Sequence, residues 1–190
     1  MGLWLWIPGR LVHSMAISTD QTSWVFGYGS LIYKVDFPYL QREIASVRGW
    51  QRRFWQGSHD HRGTPQDPGR VVTLIPEPEA ICLGVGYLVD NLVFEHLDHR
   101  EKNGYQRHQV TLRLEESGVQ VSGQLYVARE DNHAFLGPAE TESIAAHIAR
   151  AAGPSGSNRD YLLRLASALR DIGEHDAHVQ ELEALILQIR

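Results

Sequence analysis

Residues 25–34 read VFGYGSLIYK, a short apolar run that ends in two glycines separated by a tyrosine. The β-branched and aromatic residues at the start of this stretch are typical of a strand, and the glycines predict a turn at its end. Three interpretations of such a turn compete. It could be a nucleotide-binding loop, an ordinary turn after a strand, or a backbone cradle for another small anion.

The residues after the turn argue against the known nucleotide loops. A dinucleotide-binding fingerprint needs a third glycine where this chain has Ile32, and a P-loop ends in Gly-Lys-Ser or Gly-Lys-Thr, which is absent here. Glycines allow the main chain to approach a ligand closely and to turn its N–H groups inward, which suits a carboxylate or an oxyanion. On these residues alone, the cradle and the ordinary turn remain equally open.

Outward from this stretch, the pattern from about Trp24 to Tyr126 is a series of strands separated by turn signals. The last two predicted strands are joined by a hairpin turn at Ser117-Gly118. We expect the prolines of the third run to end that strand. The runs are WVFGYG, GWQRRFWQGS, GRVVTLIPEPE, ICLGVGYLV, QVTLRLEE and VQVSGQLYVA.

From Gly137 onward the period of the apolar residues changes to three and four, which predicts three helices. They fall in ETESIAAHIARAA, RDYLLRLASALRDI and HVQELEALILQI, and Ser157 or Asn158 is placed to cap the second. Many short strands followed by helices predict an α+β fold, in which a small mixed β-barrel or strongly curled sheet is flanked by helices.

The composition indicates a soluble globular protein that does not bind nucleic acid. The 190 residues carry a formal net charge of −5 and no cluster of lysine or arginine to meet phosphates. A single cysteine, Cys82, excludes an intrachain disulfide and favours a reducing compartment. No stretch reaches the roughly 20 apolar residues of a membrane span. We expect residues 1–23 to be a poorly ordered extension without a secretory signal and residues 24–190 to form one domain, as a monomer or weak dimer.

The stretch EHLDHREKNGY, residues 95–105, concentrates carboxylates and histidines. Its histidines, even together with those of SHDHRG, do not have a known metal-ligand spacing, so we expect surface histidines and no metal site. Glu101 precedes Lys102-Asn103-Gly104, a predicted turn that can project its carboxylate toward a cavity. The ordinary alternative for this glutamate is solvation at the end of a helix.

No pattern in the sequence predicts a covalent nucleophile. Ser30 lacks G-x-S-x-G surroundings, and Cys82 lies in an apolar run where a small core residue is expected. Acid–base chemistry therefore remains. One of four arginines could face the cavity and hold a carboxylate through two hydrogen bonds: Arg52, Arg53, Arg62 and Arg70.

Taken in order, these blocks resemble the ChaC family of γ-glutamyl cyclotransferases, and within it the smaller, constitutive type that degrades glutathione. The blocks are FGYGSLI, GWQRRFWQGSHDHRGTPQDPGRVVTL, LDHREKNGY, FLGPA and AAGPSGSNRDYL, and the resemblance covers about residues 24–165. It implies a small β-barrel flanked by helices. It also implies cleavage of glutathione to 5-oxoproline and cysteinylglycine in the cytosol, without a cofactor.

The resemblance also assigns residues by position. The family's substrate-binding segment, called here the GYGS loop, falls on Gly27, Tyr28, Gly29, Ser30, Leu31 and Ile32. The family's catalytic glutamate falls on Glu101, which implies a general acid–base role for that carboxylate. Tyr105, Tyr161 and Arg70 are further candidates to contact the substrate.

The chain departs from the family pattern in three places. Tyr33 stands where tryptophan is common, the segment between Tyr87 and Glu101 is several residues shorter than usual, and residues 1–23 precede the first strand. Two alternatives follow from the shortened segment and the broader family. One is a cyclotransferase for other γ-glutamyl amines or amino acids, and the other is a relative that binds γ-glutamyl compounds without cyclising them.

Overall fold

The structure is a computed structural model, and it describes residues 21–100 and 105–189. Within them, five strands form a closed barrel in the order β1-β3-β2-β4-β5. The strands are β1 (Thr22–Gly27), β2 (Gln41–Ser58), β3 (Gly69–Asp90), β4 (Tyr105–Leu114) and β5 (Gln120–Ala128). Neighbouring strands are antiparallel, except that β1 and β5 run parallel where the barrel closes. The predicted α+β class with a mixed barrel is confirmed.

Glycines on β3 make room for the aromatic side chains of β1. A Cβ atom added at Gly84 would lie 2.7 Å from the ring of Phe26, and one added at Gly86 would lie 3.2 Å from the ring of Trp24. Both rings are buried in the core. The nearly continuous apolar run ICLGVGYLV therefore belongs to a strand that is covered on both faces, as its composition predicts.

The expectation that prolines end the strand in GRVVTLIPEPE is wrong. β3 continues without interruption from Gly69 to Asp90, with Pro76 and Pro78 inside it. Its register against β2 shifts between the pairs Arg48–Ile81 and Trp50–Pro76. Pro78 falls in this irregular stretch, where its missing N–H group removes no regular ladder hydrogen bond.

The shift divides the β2–β3 pair into two parts. Residues 41–48 of β2 pair with β3 and belong to the barrel, where residues 45–47 also pair with β4. Residues 50–58 pair with the first half of β3 and lead to the connection formed by residues 59–68.

Four helices and one short strand pair complete the described fold. They are α1 (Val93–Arg100), α2 (Thr141–Arg150), β6 (Ala152–Gly153), β7 (Gly156–Ser157), α3 (Asn158–Asp171) and α4 (Ala177–Gln188). The predicted β4–β5 hairpin and the three C-terminal helices are confirmed, with Gly118 in the hairpin turn at φ +69°. Ser157 caps α3, since its Oγ accepts a hydrogen bond from the Asp160 N–H at 3.0 Å. None of the described helices has both the length and the apolar composition that crossing a membrane requires.

Candidate active site

A cavity of about 280 Å³ lies beside the end of β1. Much of its wall comes from two parts of the chain, residues 26–31 at the end of β1 and residues 57–62 at the end of β2, and strands β3, β4 and β5 and the beginning of α3 add further residues. Besides Tyr28 of the GYGS loop, three tyrosines from other elements contribute to the wall: Tyr105, Tyr126 and Tyr161. The volume is close to the lower end of the range for small-molecule sites.

The GYGS loop forms the wall nearest to the barrel. It leaves β1 at Gly27 and makes one 3₁₀ turn over Ser30–Ile32, in which the Ile32 N–H donates to the Gly29 carbonyl at 3.0 Å. The Tyr28 hydroxyl donates to the Tyr126 carbonyl at 2.7 Å, and this bond joins the loop to β5. The carbonyl of Tyr28 in turn accepts a hydrogen bond from the buried Arg52 side chain at 2.7 Å. The loop is therefore held by side-chain contacts on both sides.

Gly29 lies where the loop passes closest to the opposite wall. A Cβ atom at this position would be 2.9 Å from Cγ2 of Val72 and 3.3 Å from the hydroxyl oxygen of Tyr161. A side chain larger than hydrogen would thus press into the cavity wall, which explains glycine here by close approach.

Tyr161 reaches the cavity from the first turn of α3. The position of this turn is fixed by Asn158, whose side-chain amide accepts from the Arg70 N–H at 2.6 Å and donates to the Arg70 carbonyl at 2.7 Å. Asn158 thus joins α3 to β3, while Ser157 is the cap. Burial raises the pKa of Tyr161, so its hydroxyl stays protonated and can donate a hydrogen bond at neutral pH.

Tyr126 links the cavity to α1. Its hydroxyl donates to Oδ1 of Asp98 at 2.5 Å, and burial followed by this carboxylate raises the pKa of Tyr126. Tyr105, which begins β4 and pairs with Ala128, lines the same cavity. Tyr105 directly follows residues 101–104 in the sequence, and Tyr126 contacts Asp98, which precedes them. The predicted catalytic residue Glu101 itself lies outside the described residues.

Among the four arginines considered, Arg62 lines the cavity. Its guanidinium group is 5.6 Å from the ring centre of Tyr161 and donates to the Ser157 carbonyl at 3.2 Å. The other ionisable side chains of the wall are Lys34, Asp36, His59, Asp60 and His61. The wall thus combines fixed positive charge with carboxylates, and these side chains belong to residues 34–36, after the GYGS loop, and to residues 59–62, after β2.

Two residues predicted to bind substrate are not part of the wall. The Arg70 guanidinium points elsewhere and donates to the carbonyls of Phe54 and Gly137 at 3.0 Å each, and burial lowers the pKa of Arg70. Ile32 is 5% exposed and belongs to the hydrophobic core. The place of each arginine in the fold explains why Arg62 lines the cavity and Arg70 does not. Arg62 lies in the connection between β2 and β3, where binding residues concentrate, and Arg70 lies in a strand.

The remaining predictions concern nucleophiles and metals. Cys82 is a buried core residue, as its surroundings in the sequence indicate, and burial raises the pKa of its thiol to about 11. Within residues 21–100 and 105–189 there is no group of three or more histidine, cysteine or acidic side chains arranged to hold a metal ion.

The barrel and its flanking helices define a fold shared with γ-glutamyl cyclotransferases. A solved structure described as γ-glutamyl cyclotransferase is only 14% identical, yet it superposes with a TM-score of 0.55 over 86% of this chain and 87% of that one. A much closer structure is the glutathione-specific γ-glutamyl cyclotransferase from yeast, with a TM-score of 0.83 and 34% identity over 90% of this chain and 97% of that one.

The family is defined by sequence. The profile of the ChaC-like protein family matches residues 23–189, and the chain belongs to this family. γ-Glutamylcyclotransferase 2-3 of Arabidopsis thaliana is 44% identical over 84% of this chain and 85% of its own. Glutathione-specific γ-glutamylcyclotransferase 1 of Mus musculus is 42% identical over 94% of this chain and 83% of its own. The glutathione-specific enzyme of Saccharomyces cerevisiae is 38% identical over 77% of this chain and 84% of its own.

Proposed function

We propose that the protein is a glutathione-specific γ-glutamyl cyclotransferase that converts glutathione to 5-oxoproline and cysteinylglycine in the cytosol. The observation that carries this proposal is that residues 27–31 of the family's GYGS loop line a cavity together with tyrosines from three other elements. Membership of the ChaC-like family over residues 23–189 supports it, and so do relatives whose names specify glutathione.

The reaction needs no nucleophile from the protein. The α-amino nitrogen of the γ-glutamyl group attacks its own γ-carbonyl carbon, a five-membered lactam closes, and the bond to the cysteine nitrogen breaks. The amino group must lose a proton before it attacks, and the departing amine must gain one. The protein's part is to hold the γ-glutamyl chain folded back on itself, and such alignment can be worth about 7–11 kcal/mol.

Glu101 is the proposed general base and then general acid. A single carboxylate can take the proton from the attacking amine and return it to the leaving amine. Support comes from the neighbouring residues, since Tyr105 lines the cavity and Asp98 accepts a hydrogen bond from Tyr126, another residue of its wall.

The substrate's charged groups have candidate partners in the GYGS loop, in the residues directly after it and in residues 59–62. Backbone N–H groups of residues 29–31 are the candidates to bind the α-carboxylate or the oxyanion, and the loss of one such donor typically costs about 2.7–4 kcal/mol. Arg62 and Lys34 are the fixed positive charges of the wall and are suited to a carboxylate of the substrate. Arg62 takes the role that the sequence had suggested for Arg70.

The direct test is glutathione turnover by the purified protein, with 5-oxoproline and cysteinylglycine identified by mass. Glu101→Gln should lower kcat by about 10²–10⁴-fold, since it removes the proton-transfer group and keeps the shape of the side chain. Glu95→Gln in the exposed first turn of α1 is the matched control and should keep wild-type kcat.

Two outcomes would contradict the assignment of Glu101. The first is an unchanged kcat in Glu101→Gln. The second is a loss of activity confined to Asp36→Asn or Asp60→Asn, because these are the carboxylates that line the cavity among the described residues. Comparison of kcat/KM for glutathione and γ-glutamyl-alanine tests the substrate class, with glutathione expected to be preferred. Binding of glutathione without any product would instead favour a non-catalytic relative.

A further inference from the structure

A fully buried arginine lies directly beneath the GYGS loop. Arg52, on β2, is 2% exposed. It stands where the β1–β3 ladder stops, since the last paired residues are Gly27 and Val85. Beyond that pair the two strands are no longer paired with each other. The carbonyls of Tyr28 and Leu83 must therefore be hydrogen-bonded to other groups, because buried main-chain oxygens are almost always hydrogen-bonded.

The Arg52 guanidinium group supplies both partners and binds a carboxylate as well. Its Nε donates to the Tyr28 carbonyl at 2.7 Å, one terminal nitrogen donates to the Leu83 carbonyl, and the other donates to Oδ2 of Asp176 at 2.9 Å. A planar guanidinium group can direct its donors to three fixed acceptors at once, and a lysine ammonium cannot reproduce this geometry.

Asp176 connects this contact to the C-terminal helices. Its second oxygen, Oδ1, accepts the Val179 N–H at 3.1 Å and thereby caps α4. Glu174, in the same connection, accepts the Leu83 N–H at 2.8 Å and lies 3.9 Å from Arg52. The connection between α3 and α4 therefore holds both Arg52 and the segment of β3 to which Arg52 binds.

The peptide bond between Tyr28 and Gly29 transmits this contact to the cavity. In a trans peptide the C=O and the following N–H point in opposite directions. Arg52 binds the Tyr28 carbonyl, so the N–H of Gly29 is turned away from Arg52. Gly29 lines the cavity, whereas Arg52 does not, so an N–H that is turned away from Arg52 can be directed at the cavity.

We propose that Arg52 and Asp176 are positioning residues, which fix the Tyr28–Gly29 peptide so that the Gly29 N–H faces the substrate. Neither residue touches the substrate; both act through the GYGS loop. The kinetic test of this inference rests on the proposed glutathione cleavage. The effect on the loop itself can be tested without any substrate.

The test compares Arg52→Lys and Asp176→Asn with the wild-type protein and with Arg159→Lys. Arg159 is a suitable control because it also donates to a main-chain carbonyl, that of Ile189 at 2.8 Å, and does so on the helical side. In Arg52→Lys, KM for glutathione should rise about tenfold or more while kcat falls less, because a small misplacement of a binding group can cost up to about a hundredfold. Asp176→Asn keeps a capping side chain and should shift KM in the same direction by a smaller factor.

The second measurement is hydrogen–deuterium exchange of a peptide covering residues 27–34, followed by mass spectrometry. Exchange in this peptide should accelerate about tenfold in Arg52→Lys, with peptides from β4 and β5 unchanged, and should stay at the wild-type rate in Arg159→Lys. If wild-type protein does not cleave glutathione, the proposed function fails and the exchange data alone decide the role of Arg52. If Arg52→Lys does not fold, Asp176→Asn decides it. Wild-type exchange and wild-type KM in the folded variants would overturn the proposal.

Discussion

Gly29 is the residue at which the GYGS loop has the least space. Because an added Cβ would lie 2.9 Å from Cγ2 of Val72 and 3.3 Å from the Tyr161 hydroxyl, Gly29→Ala must push the loop away from the wall. We expect kcat/KM for glutathione to fall about 10–100-fold, since a shift of the order of 1 Å in a binding group has such effects. Overpacking should also lower the free energy of unfolding by about 1–3 kcal/mol. Steady-state kinetics measure the change in kcat/KM, and the thermal unfolding midpoint measures the loss of stability.

A rescue experiment separates crowding from other causes. Val72→Ala removes the methyl group nearest to the added Cβ, so Gly29→Ala/Val72→Ala should recover part of the lost kcat/KM. A double variant no more active than Gly29→Ala would show that contact with Val72 is not what Gly29 avoids.

At the scale of single residues, sequence reasoning works where a motif fixes the backbone. The glycines and the strand end predict a turn after β1, and the family resemblance places the substrate loop on residues 27–32, of which residues 27–31 line the cavity. The choice between Arg62 and Arg70 could not be made in the same way. Their orientations depend on which carbonyls and rings lie nearby in the folded barrel, and this is set by contacts between residues far apart in sequence.

At the scale of secondary-structure elements, the junction between α3 and β3 depends on one side chain. Asn158 is fully buried, and its amide satisfies both the N–H and the carbonyl of Arg70. Asn158→Ala leaves two buried main-chain groups without a partner, so we expect a loss of about 2–4 kcal/mol in the free energy of unfolding, measured in urea. Activity should fall too, since Tyr161 lies one turn further along α3.

Ser157→Ala is the matched comparison for this junction. It removes the capping hydroxyl at the same helix end and should cost only about 1 kcal/mol. Equal losses of stability in the two variants would mean that Asn158 acts merely as part of the helix end and does not join α3 to β3.

The elements themselves differ in how far the sequence determines them. The β4–β5 hairpin and the three C-terminal helices were predicted because periodicity, caps and turn residues are local signals. The continuation of β3 through Pro76 and Pro78 was not, because it depends on a register shift against β2, from Arg48–Ile81 to Trp50–Pro76. The register between two strands depends on contacts between them, so the sequence of neither strand alone predicts such a shift.

At the scale of the whole molecule, the helices are joined to the barrel by polar contacts between distant residues. Besides Arg52 with Asp176, the Phe54 N–H on β2 donates to Nε2 of His178 on α4 at 3.1 Å, across 124 residues of sequence. The ring of His178 also packs against that of Phe54, with the ring centres 6.1 Å apart. His178 falls on the periodic pattern of α4, but its partner on β2 could not be predicted from that pattern.

This contact makes the stability of the molecule sensitive to acid. Burial and then the positive charge of Arg53 lower the pKa of His178 to about 4, against the opposing effect of Asp176. In the unfolded chain a histidine titrates near 6.5, so between about pH 6.5 and pH 4 the unfolded state binds more protons and is favoured as the pH falls. The contribution of His178 is therefore complete above about pH 6.5 and declines toward pH 4, by about 3 kcal/mol, since one pKa unit corresponds to about 1.4 kcal/mol.

Urea unfolding of the wild-type protein and of His178→Gln at several pH values between 7 and 4 measures this contribution. Glutamine can still accept from the Phe54 N–H and does not titrate, so the variant should lose stability less steeply as the pH falls. His175→Gln alters an exposed histidine in the residues before α4 and should keep the wild-type slope. The wild-type slope in His178→Gln would instead assign the acid sensitivity to other groups. It would also mean that His178 does not have to be neutral for α4 to dock on the barrel.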